Sequence, residues 1–179
     1  MTSIRWGIIG PGNIAHRFAD GLKEARSGEL VAIASTNEGR RKSFGDKYNI
    51  DSTLRFSSYD ELVESSDIDA IYISTPHTLH AEWTIKAAGR GKHVLCEKPG
   101  AVNLKEGKQV IQAVQEAGVF YMEGFMYRCH PQIKTLLKLI KEKQIGDIKS
   151  IKSSFGFDTG KTIPKSRLFD KELAGGAIL

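Results

Sequence analysis

The chain has 179 residues, of which 40% are hydrophobic and 26% charged, an ordinary globular composition that suits one domain, or one domain with part of a second. Its 26 basic and 21 acidic side chains leave a formal charge of +5. The basic residues are spread out, with no stripe interleaved with aromatics, which speaks against nucleic acid as a partner and leaves an anionic small molecule compatible.

In chain order, short β-rich runs alternate with helical periods. Residues 4–10 form an apolar run that breaks at Gly10 and Gly12 and becomes a helical pattern over 13–25. A strand, a tight glycine turn and a helix N-terminus make a phosphate-binding turn. Gly10 permits the sharp turn, and Gly12 lets a pyrophosphate approach the backbone. Ala15 stands where a third glycine is usual and is small enough for the helix to pack on the strand. The free N–H groups and the positive dipole end around Asn13 and Ile14 suit phosphate. A second strand over 30–35 runs into Ser35-Thr36-Asn37-Glu38-Gly39-Arg40-Arg41, with a helix over 39–48. NAD-preferring folds place a carboxylate at that strand end for the ribose 2′-OH. Hydroxyls at Ser35 and Thr36, the amide of Asn37 and a cation at Arg40 or Arg41 suit a 2′-phosphate instead. NADP is therefore the expected cofactor, and NAD stays open because Glu38 lies close by.

A weak strand over 53–56, a helix over 59–65 and a strand over 70–75 follow, and the last runs into Ser74-Thr75-Pro76-His77-Thr78-Leu79-His80. Pro76 stops the strand. Thr78 is expected to cap a helix over 78–89. His77 and His80 are placed near a nicotinamide, the alternative being a purely structural role. A strand over 93–97 closes on Glu97-Lys98-Pro99. A lysine at a strand end beside a proline can polarise a substrate oxygen. A Glu97–Lys98 ion pair is the blander alternative, weakened because adjacent strand residues point to opposite faces. A helix over 103–117 and a strand over 119–123 complete the alternation. Residues 1–123 thus read as a doubly wound parallel sheet of the α/β class, covered on both faces.

The pattern changes after residue 123. Arg128 falls at this boundary, facing a cleft between domains or an inter-domain ion pair. A helix over 131–143 carries Ile133, Leu136, Leu137 and Ile140 on one face. Partial alternation over 147–157 predicts a half-exposed, antiparallel strand. Residues 124–179 therefore read as the incomplete start of a second, α+β domain, too small for its own core. The chain ends on Ala177-Ile178-Leu179 with no cap or polar tail, so it is expected to be cut within an element of that domain. No run reaches about 18 apolar residues and no leader precedes the first strand, so no membrane partner and a cytoplasmic location are expected. Cys96 and Cys129 lie far apart without metal-ligand spacing. They point to a reducing compartment, with Cys96 a buried thiol and no metal.

Four stretches carry a resemblance: Ile8-Ile9-Gly10-Pro11-Gly12-Asn13-Ile14-Ala15, Thr75-Pro76-His77-Thr78-Leu79-His80, Gly91-Lys92-His93-Val94-Leu95-Cys96-Glu97-Lys98-Pro99 and Phe125-Met126-Tyr127-Arg128-Cys129-His130-Pro131-Gln132. Together they resemble the glucose-fructose oxidoreductase, inositol dehydrogenase and rhizopine-catabolism (Gfo/Idh/MocA) family, most of all its dihydrodiol and xylose dehydrogenase branch. The resemblance implies an N-terminal Rossmann domain that binds NAD or NADP. It also implies a C-terminal domain with the substrate pocket and often an oligomer interface, so a homo-oligomer is expected of the full-length protein. The implied activity is that of an NAD(P)-dependent dehydrogenase or reductase acting on a sugar, a polyol or a cyclic alcohol or carbonyl. Lys98 takes the family's substrate-orienting, proton-assisting role. The cofactor-binding set becomes Gly10, Gly12, Asn13, Ile14, Ser35, Thr36, Asn37, Arg40, Thr75, Pro76, His77, His80, Glu97, Lys98 and Arg128. In the family a Gly-Gly pair, here Gly175-Gly176, precedes an Asp and then a Tyr or His acid/base. The sequence stops at Leu179, before those places, so the chain is expected to bind cofactor and turn over poorly. Gly100 departs from the family, where Leu is usual after the proline, a difference of packing more than chemistry. The alternative function is a non-catalytic dinucleotide-binding or redox-sensing module.

Overall fold

In the computed structural model, which describes residues 3–154, 156, 170 and 172, the alternation folds in one direction across a single sheet. The elements are β1 (Ile4–Ile9), α1 (Asn13–Lys23), β2 (Gly28–Ala34), α2 (Glu38–Lys47), β3 (Arg55–Phe56), α3 (Tyr59–Glu64), β4 (Ala70–Ile73), α4 (His80–Gly89), β5 (His93–Cys96), α5 (Leu104–Ala117), β6 (Tyr121–Glu123) and α6 (Pro131–Lys141). The six strands pair in parallel in the order β3-β2-β1-β4-β5-β6. This is the strand order of the Rossmann fold, and it reverses between β1 and β4, where such sheets open a ligand crevice at their carboxyl ends.

Strand side chains alternate between two buried faces. Ile8, Ile33 and Tyr72 pack under α1 and α2 with Ala15, Ala19, Phe44 and Tyr48. Ile9, Ala32, Ala34, Ile71, Ile73, Val94 and Cys96 pack on the opposite side with Leu62, Val63, Trp83 and Ala87 of α3 and α4. Coverage on both faces explains why the middle strands read as continuous apolar runs. Cys96 is the buried thiol expected of it, and burial pushes its pKa up to about 12.

Local signals set the helix ends. The Asn37 side chain accepts the Arg40 N–H at 2.9 Å, Ser58 and Glu61 form a capping box, and Asn103 caps α5. Gly118 ends α5 in the left-handed region at φ 64°. At the other end of the sheet, Arg5 donates to both carboxylate oxygens of Asp69, tying β1 to the chain that leads into β4. The Arg5 hydrogen bonds hold the Asp69 carboxyl down at about 2.

Two expectations fail. A 3-10 turn over His77–Leu79 precedes α4, closed by Leu79 N–H on Pro76 O at 3.0 Å, so α4 starts at His80 and no side chain caps it. Thr78 is exposed on that turn. Residues 147–154 hold no strand, and 155 and 157 lie outside the described residues. A strand needs a partner ladder, and the described chain beyond β6 supplies none. Gly175-Gly176 and the final residues also lie outside the described residues. Among the described residues no helix is long and apolar enough to cross a membrane.

Candidate cofactor site

A cleft of about 560 Å³ opens at the carboxyl ends of β1, β2 and β4. Its floor is the glycine turn. Gly10 has φ +88°, and a Cβ there would sit 3.1 Å from Ser74 O, so both conformation and space demand glycine. The Ser74 hydroxyl donates to Gly10 O at 2.7 Å and braces the turn against β4. A Cβ at Gly12 would meet no protein atom within 4 Å, so the ground in front of it is open to a ligand. Ala15 is fully buried, as close packing of α1 on the sheet requires. No side chain caps α1 and no acidic residue lies in its first turn. The helix N-terminus therefore faces the cleft with its amides and dipole uncompensated.

The second wall is the loop after β2. Ser35 is buried and its hydroxyl accepts the Asn37 N–H at 3.2 Å. The guanidinium of Arg41 donates back to Ser35 O at 2.6 Å, which fixes the loop and turns Arg41 away from ligand duty. Arg40 lines the cleft with Thr36 and Asn37, while Glu38 is not among the lining residues. The third wall is Ser74, Thr75 and Pro76. The Thr75 hydroxyl is buried with no hydrogen-bond partner among the described residues, so a ligand atom there would satisfy it.

Of the expected residues, the cleft brings together Gly10, Gly12, Asn13, Ile14, Ser35, Thr36, Asn37, Arg40, Thr75 and Pro76. His77, His80, Glu97, Lys98 and Arg128 do not line it. The His80 side chain is fully buried, with Nδ1 2.7 Å from Pro99 O and Nε2 3.0 Å from Thr75 O, so both ring nitrogens face backbone carbonyls behind the cleft wall. Glu97 accepts the Tyr72 hydroxyl at 2.6 Å on the α1 side of the sheet. Burial, with that bond, pushes the Tyr72 pKa up. Glu97 lines a neighbouring, mainly apolar cavity of about 330 Å³ with Leu95, Met122 and Phe125. Lys98 is exposed on the loop after β5, and its peptide bond to Pro99 is cis. Arg128 is exposed in a 3-10 turn over Met126–Cys129.

Sequence reasoning missed Arg17, Ser74 and Tyr59, which also line the cleft. Arg17 was legible: it lies four residues after Asn13, one turn along the same face of α1. Tyr59 was not, because only the crossover through β3 brings the start of α3 beside the β2 loop. With Arg17 and Arg40 and no carboxylate among its lining residues, the cleft is electropositive.

A family model described as "Oxidoreductase family, NAD-binding Rossmann fold" (GFO_IDH_MocA) matches residues 4–125. The chain belongs to this family. Among its relatives, trans-1,2-dihydrobenzene-1,2-diol dehydrogenase of Xenopus tropicalis is 36% identical over 98% of this chain and 52% of its own length. D-xylose 1-dehydrogenase (NADP(+)) 2 of Haloferax volcanii is 36% identical over 97% of this chain and 52% of its own. Among solved structures, the aldose-aldose oxidoreductase of Caulobacter crescentus, complexed with glycerol, superposes with a TM-score of 0.88 at 30% identity, covering 97% of this chain and 52% of that one. A 3-ketoreductase of Actinomadura kijaniata in complex with NADP gives 0.73 at 35% identity over 82% of this chain and 46% of that one. The chain thus spans about half the length of the relatives it matches.

Proposed function

We propose that this chain is the cofactor-binding part of an NADP-dependent dehydrogenase or reductase acting on a sugar, a polyol or a cyclic alcohol or its carbonyl. One observation carries the cofactor choice: the ribose end of the cleft presents Thr36, Asn37 and Arg40 and no carboxylate. A 2′-phosphate would meet a guanidinium there instead of a like charge. The open N-terminus of α1, Gly12 and Arg17 suit the pyrophosphate, and Tyr59 offers an aromatic wall. The relatives support the substrate class, since they include a diol dehydrogenase and a xylose dehydrogenase.

The bound nicotinamide would supply or accept the hydride. The chain's own part is to hold the dinucleotide, exclude a carboxylate from the ribose site and present the Lys98 ammonium, which would hydrogen-bond the reacting oxygen and steady its charge. Residues from 124 onward open the substrate and assembly domain in this reading, and a homo-oligomer is expected of the longer protein.

Fluorescence titration with NADPH and NADH tests the cofactor reading. Tighter binding of NADPH is expected, and binding of neither at millimolar concentration overturns it. The position of Lys98 outside the cleft favours a second reading, a dinucleotide-binding module without catalysis. Loss of turnover in Lys98→Ala of the longer protein, with NADPH affinity kept, would set that second reading aside.

A further inference from the structure

The two residues after Lys98 are gripped from two elements, α4 and β6, that lie far from it in sequence. His80, the first residue of α4, reaches Pro99 O with Nδ1 at 2.7 Å. Glu123, the last residue of β6, accepts the Gly100 N–H on Oε1 at 2.6 Å. Gly100 is buried, and a Cβ there would run into the Tyr121 hydroxyl and come within 3.0 Å of Glu123 Cγ. The space of a side chain at position 100 is thus filled from β6 by Tyr121 and Glu123, and Glu123 also makes the bond. On the N-terminal side, Glu97 N–H donates to Ile73 O at 2.9 Å. Lys98 itself is exposed on a flexible stem, so the backbone that carries it decides where its ammonium can reach.

The His80 ring has a second hold. Its Nε2 meets Thr75 O at 3.0 Å, on the wall of the cofactor cleft. Both partners are carbonyl oxygens, and burial lowers the ring's pKa, so the neutral ring donates to one of them at a time and packs against the other. The ionisable groups facing the ring are His77 of the preceding turn, with ring centroids 5.6 Å apart, and Glu97 beyond β5.

We propose that His80 and Glu123 are positioning residues for Lys98: they hold the Pro99-Gly100 backbone that carries it. The inference rests on the reading of Lys98 as the group that meets substrate next to the nicotinamide.

The test uses the whole chain with lysines reductively ¹³C-methylated and followed by NMR, the Lys98 signal being assigned with Lys98→Arg. Fixed positioning is expected to set the Lys98 signal of the unsubstituted chain apart from those of the other lysines, and a signal that coincides with theirs overturns the positioning role. In Glu123→Ala the Lys98 signal collapses onto them, Glu123→Gln, which keeps an acceptor oxygen, restores it, and NADPH affinity stays within about twofold in both. His80→Asn gives the same collapse. Should His80→Asn fail to fold, the Glu123 pair decides. A Lys98 signal that keeps its position in folded Glu123→Ala overturns the positioning role. The reading of Lys98 has its own readout: adding NADPH shifts the Lys98 signal of the unsubstituted chain. Binding of NADPH without that shift overturns the reading and leaves the collapse in Glu123→Ala to judge the positioning.

Discussion

The two halves of the sheet are finished to different degrees. Around β1 and β2 the α1–α2 face is closed: Ile8, Ile33, Phe44 and Ala15 are essentially inaccessible. On the same face around β5 and β6, Leu95 and Met122 are only half-buried, and they line the 330 Å³ cavity with exposed Phe125 and Met126. The first half is completed by its own βαβαβ crossovers. In the second half, α4 and α5 cover only the opposite face. Most of the cleft belongs to the closed half, whereas Glu97 and Lys98 stand at the edge of the open one. In the proposed reading, binding of the dinucleotide would rest on locally closed structure, and presentation of the lysine on the more open half.

Core truncations should break this contrast most visibly. Phe44→Ala is expected to cost about 3–5 kcal/mol in urea unfolding, whereas Met122→Ala, at a half-open position, should cost less than about 1 kcal/mol. Equal losses would mean that the second half is as closely packed as the first. Gly10→Ala should cost about 1–3 kcal/mol, because an L-residue is forced to positive φ against Ser74 O, and should abolish measurable NADPH binding. Arg40→Ala should weaken NADPH about 10- to 100-fold with little change for NADH, as expected for one charged contact. A parallel loss for both nucleotides would move Arg40 off the 2′-phosphate.

The smallest effect concerns the seam between the halves. The Asp69 carboxyl, ordinarily near pKa ~3.9, is held down at about 2 by its bonds to Arg5. A depressed carboxylate stabilises the fold above its unfolded pKa, and that contribution fades as pH falls through about 2. Asp69→Asn should therefore lower stability modestly near neutrality and flatten its pH dependence between about 4 and 2, read from urea midpoints across that range. An unchanged slope would show that the pair is screened by solvent.

Much of this was legible in the chain itself. Short β-rich runs alternating with helical periods predicted six strands and their helices, and the parallel sheet follows because helix-length crossovers separate the strands. The glycine turn and the β2 loop were readable because their functional residues are neighbours in sequence. Orientations set by distant contacts were not readable in this way. Arg41 turns inward onto Ser35 O while Arg40 stays with the cleft. His80 bonds Pro99, 19 residues away, and Gly100 leaves room for Glu123, 23 residues away. Thr78 lost its capping place to a 3-10 turn, and the strand predicted over 147–157 found no partner within the described chain. A local pattern determines which element a residue joins, because backbone periodicity depends on near neighbours. The direction of a loop side chain is chosen by whichever buried polar group elsewhere in the fold needs it.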